Sequence, residues 1–420
     1  MKKEMTLHIN WKRGLFLALF FCVISFSSPQ AASTIQSELD VLQANEHFIL
    51  KAGVYKENLV ITKPVTIQSE GKVEWQGTIE VAANNVKIEG ITFSGEQGII
   101  AKKVKNVEVV NNIFRTKKQP IYFDGVQDSM ITDVEIIGAQ KHYSKNVHGI
   151  SVFNSTDITM RNNKITYTQD GIYLENSQDI VAENNEMAHG RYGIHVMYGG
   201  SVSVRDNRFQ HYVTGVMSMV AEDVEVAQND IRYQHQLNST GITIYQTKDV
   251  EIHHNTIAEN SIAIQLQQVK DIYISENIFS SNQLVLKNYQ PTNVRFEQNE
   301  LYANVLIASS GHKGITLQGN SFDDYAGNDF DGDGYGDEAY VATSTFGKWV
   351  LKNEHYQYFI GSTATDMLEK MDHYSKHNTL IDEKPMIKQN ESWKFGFSPG
   401  HFTIGLLLLI GLIYVWRKLK

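Results

Sequence analysis

Cysteine is almost absent from this sequence. The single residue, Cys22, lies in the apolar run Leu15–Phe26, which follows Lys2, Lys3, Lys12 and Arg13 and precedes the small residues Ala31, Ala32 and Ser33. That order reads as an export signal over residues 1–33, with an uncleaved anchor as the other reading. Phe20 and Phe21 before the cysteine do not suit a lipoprotein site. Removal of the signal leaves no thiol, which excludes disulfides, zinc–cysteine sites and blue-copper centres. Proline is scarce at 6 residues, and charged residues make up 20% against 42% hydrophobic, a balance that argues against disorder over most of the chain. Positive charge is short as well, with a net charge of −9. Nucleic acid, which calls for a basic stripe, is not an expected partner. Cations and basic protein surfaces remain open.

Long apolar runs are missing from the interior, but one stands at the C-terminal end. Phe402–Trp416 is almost continuously apolar and is followed by Arg417, Lys418 and Lys420. With Phe395–Pro399 it reaches the roughly 20 residues that span a bilayer. It reads as a transmembrane helix over 395–416 with a cytoplasmic tail over 417–420. The two end signals place residues 34–395 on the extracytoplasmic face of the cytoplasmic membrane, the periplasmic side or its equivalent.

Between the ends, the chain repeats. Asparagine followed two residues later by an apolar residue recurs at Asn163, Asn185, Asn207, Asn229, Asn255, Asn277, Asn299 and Asn320, at spacings of 22, 22, 22, 26, 22, 22 and 21. Asn112 fits an earlier coil, and Ile91 takes the same slot before it. A period in the low twenties with β-branched triplets and no helical pattern indicates a stacked solenoid. A leucine-rich repeat would show its leucine consensus, and a propeller would repeat at about 40 residues or more. The expected fold is all-β, a right-handed parallel β-helix over 34–325 with coils about 4.8 Å apart. The asparagines should stack at a turn as amide ladders.

Each coil carries an alternating strand: Gly171–Leu174, Gly193–Val196 and Gly241–Ile244. If Ile194 and Val196 point inward, His195 and Met197 point outward. One coil on, Val216 and Ser218 point in, while Met217 and Met219 point out. The period then sets His195 under Met217 and Met197 under Met219. Thioether with imidazole is a donor set that favours Cu(I) over hard cations. The other reading is adaptable packing or partner surface, a common use of exposed methionine. Two insertions, Gly138–His148 with His142 and His148, and Tyr233–Thr240 with His235, precede such strands and should project at one edge of the solenoid. His189, His211, His253 and His254 read as turn or surface residues.

Residues 326–341 form an acidic Asp/Gly loop. Asp329, Asp331 and Asp333 at alternate positions, then Gly334, match the first half of a calcium loop, with Asp337 and the Tyr335 carbonyl as further oxygens. Tyr340 stands where the twelfth-position glutamate belongs, so the EF-hand is incomplete, and a solvated acidic turn is the alternative. Residues 342–394 read as an extension and linker. Within it, Met367, Leu368 and Met371 at helical spacing mark a short amphipathic helix over Ala364–Tyr374 that caps or packs on the solenoid.

Three stretches carry a family resemblance: G-R-Y-G-I-H-V-M-Y (190–198), G-V-M-S-M (215–219) and G-N-D-F-D-G-D-G-Y-G-D-E-A-Y (327–340). With the coils, they resemble the NosD family of nitrous-oxide-reductase maturation proteins over nearly all of the exported part. The resemblance implies an exported β-helix, often described as copper-binding, that works with the permease and ATPase of an ABC transporter. It further implies a part in assembling the copper–sulfide centre of nitrous oxide reductase, with that enzyme and a copper chaperone as partners. The family's I-H-x-M-Y element falls on Ile194, His195, Met197 and Tyr198, and its L-M element on Val216 and Met217. Met219 lies outside that pattern. The C-terminal membrane segment departs from the soluble forms of the family and implies an anchored one.

Two other functions compete. β-Helices commonly host polysaccharide lyases, hydrolases and epimerases, which need clustered carboxylates and a cationic partner on one face. Glu175 reads as the only carboxylate near the methionine patch, with Asp157, Asp179, Asp223 and Asp249 scattered at turns. A surface adhesin suits the anchor but leaves the histidine–methionine pattern without a purpose.

Overall fold

A buried amide must find partners, and a repeat of identical amides lets each serve the next. That requirement is met along most of the solenoid of this protein, a computed structural model of which describes residues 34–387 apart from 237, 309–312, 360–361 and 375–378. The Nδ2 of Asn185 donates to Oδ1 of Asn207 at 2.9 Å, and the same bond runs on through Asn229, Asn255, Asn277, Asn299 and Asn320 at 2.9–3.0 Å. The backbone N–H of each asparagine also donates to the next coil's Oδ1, and Asn112 receives the N–H of Ile91 in the earlier slot.

Around this column each coil supplies three short strands, all paired in parallel with their counterparts. Gln178–Glu183 pairs with Gly200–Arg205, Lys164–Thr166 with the start of Glu186–Met197, and Asp170–Glu175 with the end of that same strand. The outcome is a parallel β-solenoid of right-handed type with about 12 turns. Its lumen is apolar and closed: Ile172, Leu174, Ile194, Val196, Val216, Ile242 and Ile244 are all buried, as is Ser218. Stacked rings such as Phe93 on Phe114, 4.8 Å apart, fill its wider parts. The first strand begins at Glu46. The helix Ile35–Val41, where Thr34 Oγ1 accepts the Ser37 N–H, belongs to a unit of its own.

Coil corners are made by left-handed residues, and these stack too. Asp128, Asp157, Asp179, Asp223, Asp249 and Asp271 share one corner at φ 48–56°. The acidic residues expected to be scattered therefore form a single column, and most of them line an open groove of about 760 Å³ together with Glu225 and Glu251. The period explains this, because residues at one phase of a solenoid share one edge.

The C-terminal end is sealed by polar and apolar devices. The asparagine column ends on Asp382, fully buried, whose carboxylate accepts the N–H groups of Gly319, Asn320 and Lys384 and the side chain of Asn320. The helix Thr345–Lys352, capped by Ser344, lays Gly347 against Leu306, the last of the buried stack Ile262–Leu284–Leu306. The expected amphipathic helix is present as Thr363–Tyr374, but it packs against this neighbouring helix through Asp372 and Thr345. Met367 and Met371 are turned to solvent, contrary to the packing expected of them. Among the described residues no helix is long and apolar enough to cross a membrane. The expected signal peptide and transmembrane segment lie outside the described residues.

Asn229→Ala leaves the backbone and side-chain donors of Asn207 without an acceptor in a dry column. At about 1–3 kcal/mol for each buried orphan, it should cost roughly 2–4 kcal/mol, read as a lower midpoint in denaturant melts. A loss below about 1 kcal/mol contradicts the ladder's role.

Candidate metal centre

The expected register is found. His195 pairs with Met217 and Met197 with Met219, while Tyr173 and Glu175 precede them and Thr243 and Tyr245 follow. The three methionines are half-buried. His195 points away from the lumen as expected, yet it is only 5% exposed, so the four side chains do not form an open surface patch. The cause is the insertion before Ile150, which lengthens that coil to 29 residues between Ile121 and Ile150. Its 3-10 turn Tyr143–Lys145 packs on the strand Glu186–Met197. Asn146 braces the loop by bonding the N–H and the carbonyl of Gln140. His148 at its end stacks on Tyr173 with ring centroids 4.7 Å apart. The second insertion lengthens its coil to 26 residues between Thr214 and Thr240, likewise before the strand.

A carboxylate that pattern reading did not find organises the site. Asp170 is fully buried and grips Arg191 through two bonds, Nε to Oδ1 at 2.8 Å and Nη2 to Oδ2 at 2.7 Å. Nδ1 of His195 lies 3.1 Å from Oδ2, and Nδ1 of His148 lies 3.4 Å from the same oxygen. Burial pushes the Asp170 carboxyl up, but His148, His195 and Arg191 outweigh it and hold it well below the usual carboxylate range. An ionised carboxylate only accepts, so Nδ1 of His195 is the donor in this bond. Nε2 of His195 is buried and has no hydrogen-bond partner. The imidazole is held edge-on between Tyr173 and Tyr192, at 5.1 and 4.9 Å. The hydroxyl of Tyr173 donates to Glu175 at 2.6 Å and touches Met197 Sδ at 3.3 Å. Burial, then the bond to Glu175, pushes that phenol up.

Alternation hides Asp170, because it stands three residues before Tyr173 and so belongs to the opposite face by parity. Gly171 breaks the parity. A Cβ there would lie 2.6 Å from the carbonyl oxygen of Gly193, so only glycine admits the close approach of the two coils. The signal was the residue before each glycine: His148, Asp170, Tyr192, Thr214 and Thr240 occupy one phase of the repeat.

Beside the centre, the corner changes character. In neighbouring coils it carries amide ladders, Asn176 to Asn154 and Gln246 to Gln268 to Gln290. In the two coils of His195 and Met217 it carries Tyr198 and Val220, both exposed and both left-handed, at φ 54° and 51°. A β-branched residue at positive φ is strained, and such strain gathers at functional sites. His189 and His211 sit at another left-handed corner, stacked between Tyr167 and Tyr233, and His253 and His254 pair with Glu225 and Glu276. Those turn and surface positions are the expected ones.

In the acidic loop the carboxylates of Asp329, Asp331 and Asp333 come within 4.8 Å of one another. Asp329 accepts the N–H groups of Gly332, Asp333 and Gly334, and Asp333 accepts that of Tyr335. Asp337 stands apart from this group and accepts the Phe330 N–H instead.

The depressed Asp170 carboxyl sets a pH window. With its folded value below the unfolded value of about 3.9, its stabilisation is complete above that value and is lost as pH falls through the folded one. The near-UV circular dichroism of the tyrosine cage should hold from pH 7 to about 4.5 and collapse only in stronger acid. A midpoint above pH 5 contradicts the assignment.

With the geometry in place, comparison with known proteins becomes informative. A search of curated proteins finds no match. Among solved structures, a mannuronic acid specific polysaccharide family 6 lyase from human gut microbiota is 13% identical, with a TM-score of 0.53, over 69% of this chain and 84% of that one. The alginate lyase AlyF-OU02 in complex with G6 is 14% identical, with a TM-score of 0.52, over 69% and 80%. At such identity these likenesses show the solenoid fold alone. The stretch that holds the whole centre also matches a family model, whose description is "Periplasmic copper-binding protein (NosD)". That match spans residues 133–327 of the chain.

Proposed function

We propose that the protein is a non-catalytic accessory that holds Cu(I) on the extracytoplasmic face of the membrane during assembly of the copper–sulfide centre of nitrous oxide reductase. The observation that carries this reading is the bare Nε2 of His195, buried in the coil next to Met217. A buried acceptor without a donor costs about 1–3 kcal/mol, and a bound soft cation would remove that cost. Met217, Met197 and Met219 supply thioethers on the same outward columns. Imidazole with thioethers suits Cu(I) and rejects hard cations. The protein's own part is to keep this nitrogen fixed and covered. Delivery then needs a partner at the exposed corner of Tyr198 and Val220. The family resemblance supports a copper chaperone, the reductase, and the permease and ATPase of an ABC transporter as those partners. The apolar run at 395–416 supports a membrane anchor. In this reading the Asp329–Asp331–Asp333 loop takes calcium as a structural ion at the end of the last coil.

A second reading, a β-helix carbohydrate-active enzyme, draws on the acidic groove, which Asp223, Asp249, Glu225 and Glu251 line together with Arg295. Cleavage of alginate or pectin by the purified protein would favour it over the copper reading.

Cu(I) titration of the full chain against a competing chelator should show one tight site, with nitrogen and sulfur ligands in X-ray absorption. His195→Ala and Met217→Ala should fold normally, bind Cu(I) at least 10-fold more weakly, and lower the copper content of nitrous oxide reductase in cells. Normal copper loading with both variants refutes the assignment. Millimolar calcium should raise the melting temperature by a few degrees, as mass action on a native-state site requires. Asp331→Asn should abolish that rise.

A further inference from the structure

We infer that Asp170, clamped by Arg191, is the positioning residue of this centre: it locks His195 with the proton on Nδ1 and aims the Nε2 lone pair at the thioether side. The inference rests on the copper reading above but concerns the protein without metal. A neutral imidazole otherwise distributes its proton between two nitrogens and flips about its ring axis. Here both freedoms are removed from one side. The two guanidinium bonds use both carboxylate oxygens and fix the plane of Asp170, leaving room on Oδ2 for the Nδ1 donor at 3.1 Å. The two nitrogens lie on different edges of the ring. Anchoring Nδ1 toward the coil of Asp170 therefore turns Nε2 away from it, toward the coil of Met217.

A carboxylate behind a histidine ligand also raises the basicity of the far nitrogen, and removing such a partner typically costs 10–100-fold in metal affinity. The clamp has a second consequence. His148, on the covering insertion, reaches the same oxygen at 3.4 Å without completing a hydrogen bond. The residue that aims the donor therefore also lies beneath the end of the loop that shields it. Arg191 is held in turn, stacked on Tyr192 at 4.5 Å with its N–H on the Gln169 carbonyl.

Long-range 1H–15N spectra of the full chain, labelled at histidine and free of metal, read the tautomer directly, and His195→Gln identifies the signal. The expected result for the neutral ring is the Nδ1–H form of His195. Asp170→Asn should mix the two tautomers and weaken Cu(I) binding by 10–100-fold in chelator competition, and Asp170→Glu should recover part of that affinity. An Nε2–H tautomer in the wild-type protein overturns the inference whether or not Asp170→Asn folds. So does wild-type Cu(I) affinity in Asp170→Asn. If the wild-type chain takes no Cu(I), the copper reading fails, while the tautomer still decides the role of Asp170.

Discussion

Everything in this molecule depends on one hydrogen bond repeated along its axis, from the amide of one asparagine to the amide of the next. Each bond lies in a buried column where an unmet amide is costly, so the coils from Asn185 to Asn320 are held in one register relative to their neighbours. A slip of one residue would turn the lumen's isoleucines outward and break the column at once. The two penalties reinforce each other. A residue's position in the repeat therefore becomes a spatial address, and His195 beside Met217 is one such address.

Regularity alone would make a rod without a site. The centre arises where the chain departs from its own rule. Gly171 lets Asp170 share the face of Tyr173 against parity, and the coil before it carries the insertion that covers His195. The histidine is thereby moved from a surface to an interior without leaving its column. Enclosed between Tyr173 and Tyr192, with Asp170 ionised behind it, the imidazole offers one nitrogen in one direction. The electrostatic cost of burying Asp170 is offset by Arg191, which keeps the pair neutral.

How much could be read from the residues follows from the same distinction. The asparagine slots, the inward isoleucines and the His195–Met217 and Met197–Met219 pairs were legible because period and alternation together specify phase and face. The acidic corner was legible on the same grounds, since Asp157, Asp179, Asp223 and Asp249 share a phase, although they read as scattered when each was taken singly. Asp170 and Arg191 were not, because alternation assigns faces by parity and a glycine cancels it. The burial of His195 was also hidden. It depends on how residues 138–148 fold over a neighbouring strand, and an insertion has no phase in the repeat.

Departures from the repeat thus locate the functional coils independently of any metal chemistry. The exposed corner ladder of asparagines and glutamines stops at Tyr198 and Val220 and resumes at Gln246. A second buried amide ladder, Asn304 through Asn282 and Asn260 to Gln234, ends on the backbone of Tyr212. Both interruptions, both insertions and the one clamped carboxylate fall between Gly138 and Thr240. Each break gives up hydrogen bonds or accepts backbone strain, and Val220 accepts it while exposed, where no packing compensates. Local rules are broken together in this way where a second requirement competes with stability. The copper reading proposed above would supply such a requirement: a buried nitrogen without a hydrogen-bond partner, in register with Met217.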